Sequence, residues 1–177
     1  MGRNNGAAVA HGEILLFLDA DIKFGNSFLK SCLASFQAAK ADMACCLFDT
    51  KGMTNHIATI YRIWNRSKKL RSKSKFPDGE GQCLWVKKDV FTKLKGFNKS
   101  LRMGEDVDLF HRAAYMGFRY TMLPHAFIPS SRRYEEMGTL RVFLATFFSG
   151  IGQILGIKKG NRFSEKLYGG WGMYNRK

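Results

Sequence analysis

The sequence is short of acidic residues, and this shortage sets the electrostatic character of the chain. Its 177 residues include 14 acidic and 29 basic side chains, which gives a formal net charge of +15. A surplus of positive charge this large indicates an anionic partner. A nucleotide diphosphate, a nucleic acid and an acidic membrane surface all have the required chemistry.

The sequence also lacks any cysteine motif. Cys32, Cys45, Cys46 and Cys83 form neither a CxxC pair nor a cluster with the spacing of metal ligands. The adjacent Cys45 and Cys46 are poorly suited to a disulfide framework. We therefore expect buried thiols in a reducing compartment, which predicts a cytoplasmic protein.

Long apolar runs are absent as well. No stretch of about 20 consecutive apolar residues occurs, so the sequence predicts no transmembrane helix. The first residues are polar and rich in glycine, which is unlike a secretory signal peptide. The hydrophobic content of 45% is nevertheless typical of a globular protein, and the length suits one domain with a sizeable core.

The most informative stretch is a run of five apolar residues, Ile14–Leu18, which ends at Asp19-Ala20-Asp21. Its length favours a strand buried on both faces. Residues two apart on an extended chain point the same way, so Asp19 and Asp21 can share one target at the carboxyl end of the strand. Two such carboxylates favour a hard cation such as Mg²⁺ or Mn²⁺. The alternative is that both acids are turn and cap residues.

Helical and strand patterns alternate along the rest of the chain, which predicts an α/β fold with a mostly parallel sheet flanked by helices. We expect Pro124 to end the last strand. The predicted strands are 14–18, 42–48, 82–86 and 118–123, and the predicted helices are 4–10, a helix from 28, 54–70, 88–94, one ending at 116, and 139–157.

The last predicted helix, 139–157, is amphipathic and is followed by Lys158, Lys159 and Arg162. It packs on the preceding domain as ordinary core, or it lies in a membrane interface with anionic lipid. The basic run 66–75 either joins that surface or is a solvated loop. We divide the chain into a domain at 1–135 and a C-terminal amphipathic helix with a basic tail at 136–177.

Two blocks of residues carry a resemblance to a known family. The first block is Arg3-Asn4-Asn5-Gly6, Gly12-Glu13 and Phe17–Asp21, and the second is Gly81–Phe91, Gly96-Phe97-Asn98, Gly104–Leu109, Arg112 and Gly117-Phe118. Together the blocks span about residues 2–125, and their motifs and order resemble those of inverting family 2 glycosyltransferases of the GT-A fold. Residues 1–135 would then be a partial GT-A catalytic domain.

The resemblance implies an inverting transfer of a sugar from a nucleotide-sugar donor, a UDP- or GDP-sugar, to a saccharide or lipid-phosphate acceptor. Asp19-Ala20-Asp21 would be the DxD motif. Asp19 would face the donor ribose or sugar, and Asp21 would ligate the Mn²⁺ or Mg²⁺ that bridges the diphosphate. Arg3 lies where the family often contacts the nucleotide, although a surface arginine capping a helix is the alternative. His125 is expected to be structural rather than a further metal ligand.

Glu105-Asp106 matches the family's acidic pair before the acceptor-side helix. The resemblance implies that Asp106 is the base that takes the proton of the acceptor hydroxyl, with Glu105 as second candidate. Alternatively, both are helix N-terminal acids stabilised by the macrodipole. Asp108 is expected to support the site. Arg132 and Arg133 correspond to arginines that grip donor or lipid phosphate in lipid-linked sugar transferases.

One departure from the family stands out. The family pattern begins well before the DxD motif, whereas the motif lies here at residue 19, so we expect an N-terminally truncated fold that lacks its first strands. A peripheral position at the inner face of the membrane is expected. The alternative is an inactive fragment that serves as a membrane-surface or nucleic-acid-binding basic module. No nucleic-acid motif is present and the basic residues are not interleaved with aromatics, so no nucleic-acid partner is expected.

Overall fold

The structure is a computed structural model that describes residues 2–72, 74, 77, 79–101 and 104–145. One compact unit comprises Met1–Ser100 and Glu105–Ser130, and a second comprises Leu101–Gly104 and Ser131–Lys177. The division predicted at residue 135 stays a prediction. Most of the predicted helix 139–157 and all of the basic tail lie outside the described residues.

The first unit alternates helices and strands as the hydrophobic periodicity predicts. Its elements are α1 (Gly2–Val9), β1 (Ile14–Leu18), α2 (Phe28–Ala38), β2 (Met43–Phe48), α3 (Asn55–Arg71), β3 (Cys83–Lys87), α4 (Lys88–Lys93), α5 (Glu105–Tyr115) and β4 (Tyr120–Phe127). In the second unit, α6 spans Arg132–Met137, and residues 139–145 are helical.

The four strands form one sheet in the order β1-β3-β2-β4. β3 runs antiparallel to both of its neighbours, and β2 pairs with β4 in parallel. β1, β2 and β4 therefore share one direction, so their carboxyl ends lie at one edge of the sheet. The expected α/β fold with helices flanking a GT-A-like sheet is confirmed. Two of the three strand pairings are antiparallel, however, so the sheet is mixed rather than mostly parallel. Among the described residues, β1 has β3 as its one hydrogen-bonded neighbour.

The expectation that β1 is buried on both faces is wrong. Leu15 and Phe17 are buried, whereas Ile14 and Leu16 are half-buried and Leu18 is exposed. The alternation arises because successive side chains on a strand point to opposite faces, and one face of β1 packs on the core.

The expectation that Pro124 ends the last strand is also wrong, since β4 continues through it to Phe127. The register against β2 shifts at this point: Met122 pairs with Cys45, but Ala126 pairs with Leu47. Pro124 lies in the resulting bulge on an outer strand of the described sheet, where its missing N–H disrupts no regular ladder bond.

An aromatic cluster beneath β1 fixes the elements that carry the site. The Phe17 ring lies 5.2 Å from the Phe91 ring and 5.1 Å from the Phe97 ring, measured between centroids. Leu109 and Phe110 of α5 are fully buried in the same core. Burying each large apolar side chain contributes about 1.5–3 kcal/mol, so the start of α5 is held firmly against the sheet.

All four cysteines are buried free thiols, as expected. The sulfur of Cys46 lies 3.7 Å from those of both Cys32 and Cys83. Burial raises the pKa of the Cys32 thiol to about 11, which keeps it protonated and unreactive at neutral pH. In the described part of the chain, no helix combines the length and apolar character needed to cross a membrane.

Candidate active site

The first site residue follows β1 directly. Asp19 leaves the strand at its carboxyl end, and its backbone N–H donates to the carbonyl of Gln82 at 3.0 Å. This bond continues the β1–β3 ladder by one position and fixes the direction of the Asp19 side chain. The side chain is 32% exposed, so its carboxylate is accessible from solvent.

Arg3 joins the two acidic motifs of the sequence. Its Nη2 lies 2.7 Å from Oδ1 of Asp19, and its Nη1 lies 3.2 Å from Oε1 of Glu105. The guanidinium also lies 5.6 Å from the centre of the Phe97 ring, within the range of a cation–π interaction. Asp19 of the predicted DxD motif and Glu105 of the acidic pair therefore lie at one site, with Arg3 between them.

The position of Arg3 depends on its neighbour, Asn4. The Asn4 amide donates to the Phe97 carbonyl at 2.9 Å and accepts from the Phe97 N–H at 3.0 Å. This paired contact ties α1 to the turn at Gly96, where φ is +68°. A side chain at Gly96 would strain that backbone, and its Cβ would lie 2.8 Å from Oδ1 of the Asn4 side chain.

The acidic pair begins helix α5, where carboxylates complement the helix dipole. Burial, followed by the neighbouring charge of Asp106, raises the pKa of Glu105, although Arg3 opposes this shift. Asp106 accepts one hydrogen bond on each oxygen, from the N–H of Gly81 at 2.8 Å and from the N–H of Val107 at 2.9 Å. The helix-terminal role and the site role are therefore compatible.

A short segment before β3, residues 79–82, connects these groups. Gly81 and Gln82 belong to the second block that resembles the family, but no contact with the acids was predicted for them. The Gly81 N–H holds Asp106, and the Gln82 carbonyl holds the backbone of Asp19. A Cβ at Gly81 would lie 2.6 Å from Nη1 of Arg3, so the guanidinium occupies the space that a side chain would need. The glycines at 79 and 81 were the available signal in the sequence.

Glu80, within this segment, forms a buried ion pair with Lys68 of α3. The Lys68 side chain is 5% exposed, and its ammonium also lies 3.5 Å from the centre of the Phe48 ring. A lysine with no access to water is stabilised only by such partners. The pair therefore fixes Glu80, which directly precedes Gly81 and Gln82, the two residues that contact Asp106 and Asp19.

The remaining predicted site residues lie elsewhere or have structural partners. Asp21 is exposed in the turn that follows β1. Asp108 accepts from Arg112 at 2.8 Å, and Arg112 in turn donates to the carbonyl of Gly96, so Asp108 supports the start of α5. The ring of His125, in β4, lies 2.8 Å from the hydroxyl of Ser35. Arg132 and Arg133 belong to α6 of the second unit.

The acids suit a divalent cation that arrives with its ligand. Among the described residues, no group of three or more His, Cys, Asp or Glu forms a ready metal cage. Mg²⁺ and similar ions are commonly held by one or two carboxylates together with substrate phosphates. Asp19 and Asp21 would provide that donor set, since both are oxygen ligands near the carboxyl end of β1. Asp21 lies in a turn, however, and not on the extended chain from which the shared direction of the two side chains was predicted.

The comparison with known families decides the classification. The model of the family described as "Glycosyl transferase family 2" matches residues 2–95, which is more than half of the chain. The chain belongs to glycosyl transferase family 2. The match includes Arg3, the Asp19-Ala20-Asp21 motif and the 79–82 segment, and it ends before the Glu105-Asp106 pair.

Structural comparison agrees with the family at the level of the fold. A mannosyltransferase from Pyrobaculum calidifontis, solved in complex with GDP-Man and Mn²⁺, superposes with a TM-score of 0.61 at 16% identity. The superposition covers 95% of this chain and 51% of that chain, so this chain spans about half the length of its structural neighbour. No curated protein matches the sequence.

Proposed function

We propose that this chain contributes to the transfer of a sugar, with inversion, from a nucleotide-sugar donor to an acceptor hydroxyl. The observation that carries the proposal is the position of Arg3 between Asp19 and Glu105. That contact brings together the two acidic motifs that family 2 enzymes use for donor and acceptor. The structural neighbour was solved with GDP-Man, and a GDP-sugar is our first choice of donor, followed by a UDP-sugar.

Asp19 and Asp21 would hold Mn²⁺ or Mg²⁺ together with the donor diphosphate. When bound, the cation neutralises negative charge that develops on the leaving nucleoside diphosphate. Asp19 has a second task, because its carboxylate orients Arg3 at 2.7 Å. The guanidinium would then lie near the bound diphosphate, where its paired donors suit phosphate oxygens.

Asp106 would act as the general base. The acceptor oxygen attacks the anomeric carbon while the bond to the diphosphate breaks, and the hydroxyl proton passes to the carboxylate. The bonds from Gly81 and Val107 fix the orientation of Asp106 and leave lone pairs on both of its oxygens. Glu105 is the second candidate, because its raised pKa favours holding a proton.

The acceptor is a saccharide or a lipid phosphate, and the reaction takes place at the cytoplasmic surface of a membrane. A net charge of +15 favours residence at an anionic surface. Arg132 and Arg133 would bind the phosphate of a lipid-linked acceptor or of the donor. Arg132 also lies 4.0 Å from Glu136 on the exposed surface of α6, a weak contact that a phosphate would replace.

Calorimetric titration of GDP into the 177-residue chain, with and without Mn²⁺, tests the donor site. We expect weak binding that requires the cation and that Asp21→Ala reduces about tenfold, which corresponds to one lost charge-assisted contact. Asp89→Ala, which removes an exposed carboxylate of α4, is the matched control and should bind like the wild type. Binding that is independent of Mn²⁺, or equal losses in both variants, would contradict the proposed site.

A non-catalytic role is the second candidate, because the chain spans about half of its structural neighbour. The same preparation distinguishes the two functions. Release of GDP from GDP-mannose in the presence of Mn²⁺ supports catalysis, whereas binding of GDP without any release supports a fold that keeps the site and has lost the reaction.

A further inference from the structure

Helix α3 (Asn55–Arg71) has a charge pattern that the proposed reaction does not explain. Its 17 residues include no acid. Of its basic residues, Lys68 is used in the buried pair with Glu80. The others are Arg62, Arg66, Lys69 and Arg71.

The outer face of α3 exposes two large aliphatic side chains. Ile63 is 59% exposed and Leu70 is 74% exposed. They are seven residues apart, about two helical turns, so they point in nearly the same direction. Tyr61 and Lys68, which are buried, lie on the opposite side of the helix. Ile63 and Leu70 therefore point directly away from the sheet.

Three basic side chains flank these aliphatic residues. Arg62, Arg66 and Lys69 are exposed and recur at the three- and four-residue spacing of one helix face. Within the described part of the chain, none of the three contacts a carboxylate. We name the outer face of α3 the α3 surface and define it as Arg62, Ile63, Arg66, Lys69 and Leu70.

We propose that the α3 surface binds the head-group region of a membrane that contains anionic lipid. Arginine and lysine beside exposed aliphatic side chains are the composition of an interfacial helix. Single-stranded nucleic acid would instead need aromatic side chains on which bases stack. The aromatic residues of α3 are not available for this, because Tyr61 and Trp64 pack against Phe48.

This inference extends the membrane-surface location in the proposed function and names the surface responsible for it. It also relates that surface to the site. The opposite side of the same helix contributes Lys68, whose ion pair with Glu80 fixes the segment that contacts Asp19 and Asp106. The test measures binding to vesicles, so it can fail while sugar transfer is observed, and the reverse is equally possible.

The test is flotation of the full chain with two kinds of vesicle, pure phosphatidylcholine and an equal mixture of phosphatidylcholine and phosphatidylglycerol. We expect binding to the mixed vesicles alone, weakened by added salt. Replacing Arg62, Arg66 and Lys69 with Gln should weaken binding about a hundredfold, given the attraction of each cation to an anionic leaflet. The matched control, with the same loss of charge, replaces the exposed Lys30, Lys51 and Lys99 with Gln and should bind nearly as the wild type.

A second pair of variants tests the aliphatic part of the surface. Ile63→Ser with Leu70→Ser should reduce vesicle binding about tenfold or more, because two aliphatic side chains that would be buried in the membrane interface on binding are lost. Tyr115→Ser with Met116→Ser, which alters two exposed apolar residues at the end of α5, should not. All these positions are exposed, so far-ultraviolet circular dichroism should show folded variants.

Equal losses in the α3 and control charge variants would overturn the proposal, since net charge alone would then explain binding. Unchanged binding of the Ile63→Ser, Leu70→Ser variant would overturn it as well. Tight, salt-sensitive binding of a DNA duplex that depends on the three α3 cations, without vesicle binding, would assign the α3 surface to nucleic acid instead.

Discussion

The amino-terminal ends of β1, β2 and β4 form one edge of the sheet, and their carboxyl ends form the opposite edge. These two edges carry different charge arrangements. At the edge where β2 and β4 begin, Asp42 lies between two cations, 2.8 Å from the Lys87 ammonium and 3.7 Å from the Arg119 guanidinium. The Asp42 carboxylate also accepts a hydrogen bond from the backbone N–H of Arg119. Every charge in this cluster has a partner of opposite sign, and the cluster joins three strands, so its role is to hold the fold.

At the opposite edge, where β1 ends, Arg3 pairs with both Asp19 and Glu105. Asp106 follows Glu105 at the start of α5, and Asp21 lies in the turn after β1. We call this the acidic edge. Acids are outnumbered two to one in the whole chain, so a group of acids at one edge is not a consequence of composition. The proposed divalent cation would bind at this edge, whereas the described ion pairs of Asp42 already balance its charge at the other.

The pKa values of Asp42 and Glu105 are shifted in opposite directions at the two edges. Burial works against ionisation of Asp42, but the hydrogen bonds from Lys87 and from the Arg119 backbone outweigh it and lower the pKa. Burial and then the charge of Asp106 raise the pKa of Glu105. The environment at one edge therefore favours the ionised form of Asp42, and the environment at the other opposes ionisation of Glu105.

The largest expected effect comes from Asp106→Asn at the acidic edge. We expect the rate of GDP release from GDP-mannose to fall about a thousandfold, because amide nitrogen and oxygen do not accept a proton at neutral pH. Binding of GDP with Mn²⁺ should remain nearly unchanged. Steady-state kinetics together with calorimetry separates the two effects.

The control for this prediction is Glu105→Gln. A larger fall in rate with Glu105→Gln than with Asp106→Asn would exchange the roles of the two residues. Full activity in both variants would remove the acidic edge from the chemistry.

Next in size is the effect of Lys68→Met on stability. This change leaves Glu80 buried without its partner, and we expect the free energy of unfolding to fall by about 3 kcal/mol. Urea denaturation measures it. Lys93→Met removes an exposed pair with Asp89 at 3.1 Å and should change the free energy of unfolding by less than about 1 kcal/mol.

The double variant Lys68→Met with Glu80→Gln sharpens this test. It should recover most of the lost stability, because no buried charge remains. A double variant as unstable as Lys68→Met alone would show that packing of the lysine stem, rather than its charge, stabilises this part of the fold.

Substitutions of the two glycines in the 79–82 segment should have effects of intermediate size, one on stability and the other on GDP binding. A Cβ at Gly79 would lie 2.2 Å from the ring of Phe110, which is fully buried, so Gly79→Ala should lower the free energy of unfolding by about 1–3 kcal/mol. At Gly81 the clash is with the guanidinium of Arg3, which can be displaced more easily than a buried ring. Gly81→Ala should cost less stability and instead weaken GDP binding.

Thermal denaturation and calorimetry on both variants measure these outcomes. A Gly81→Ala chain that binds GDP with wild-type affinity would argue against a role for the Arg3 position in the donor site.

The smallest effect is a difference in pH dependence between the edges. The folded pKa of Glu105 lies above its ordinary 4.5, so its contribution to stability declines as pH rises through the folded pKa. The folded pKa of Asp42 lies below 3.8, so its contribution is present above pH 3.8 and is lost as pH falls through the folded pKa.

Urea titrations over a range of pH test these signs. Relative to the wild type, Glu105→Gln should become more stable as pH rises above 4.5, and Asp42→Asn should become less stable as pH rises towards 3.8. Slopes of the same sign in both variants would contradict the contrast between the edges.

Local patterns in the sequence were sufficient for most of the fold. The expected strands 14–18, 42–48 and 82–86 correspond to β1, β2 and β3 within one residue at each end. Helix α5 ends as expected before Gly117, which adopts φ of +77°. Periodicity and glycine at a helix end act over a few residues, so one stretch of chain is enough to predict them.

The sequence by itself determined the order of the elements, the position of Asp19-Ala20-Asp21 after a strand and the acidic start of α5. Only the tertiary structure decided that Arg3 reaches Glu105 across 102 positions of the chain, that Lys68 pairs with Glu80, and that β4 passes through Pro124. The strand order β1-β3-β2-β4 and the packing of α5 bring such residues together. Contacts between distant residues follow from how whole elements pack, and no local pattern encodes that.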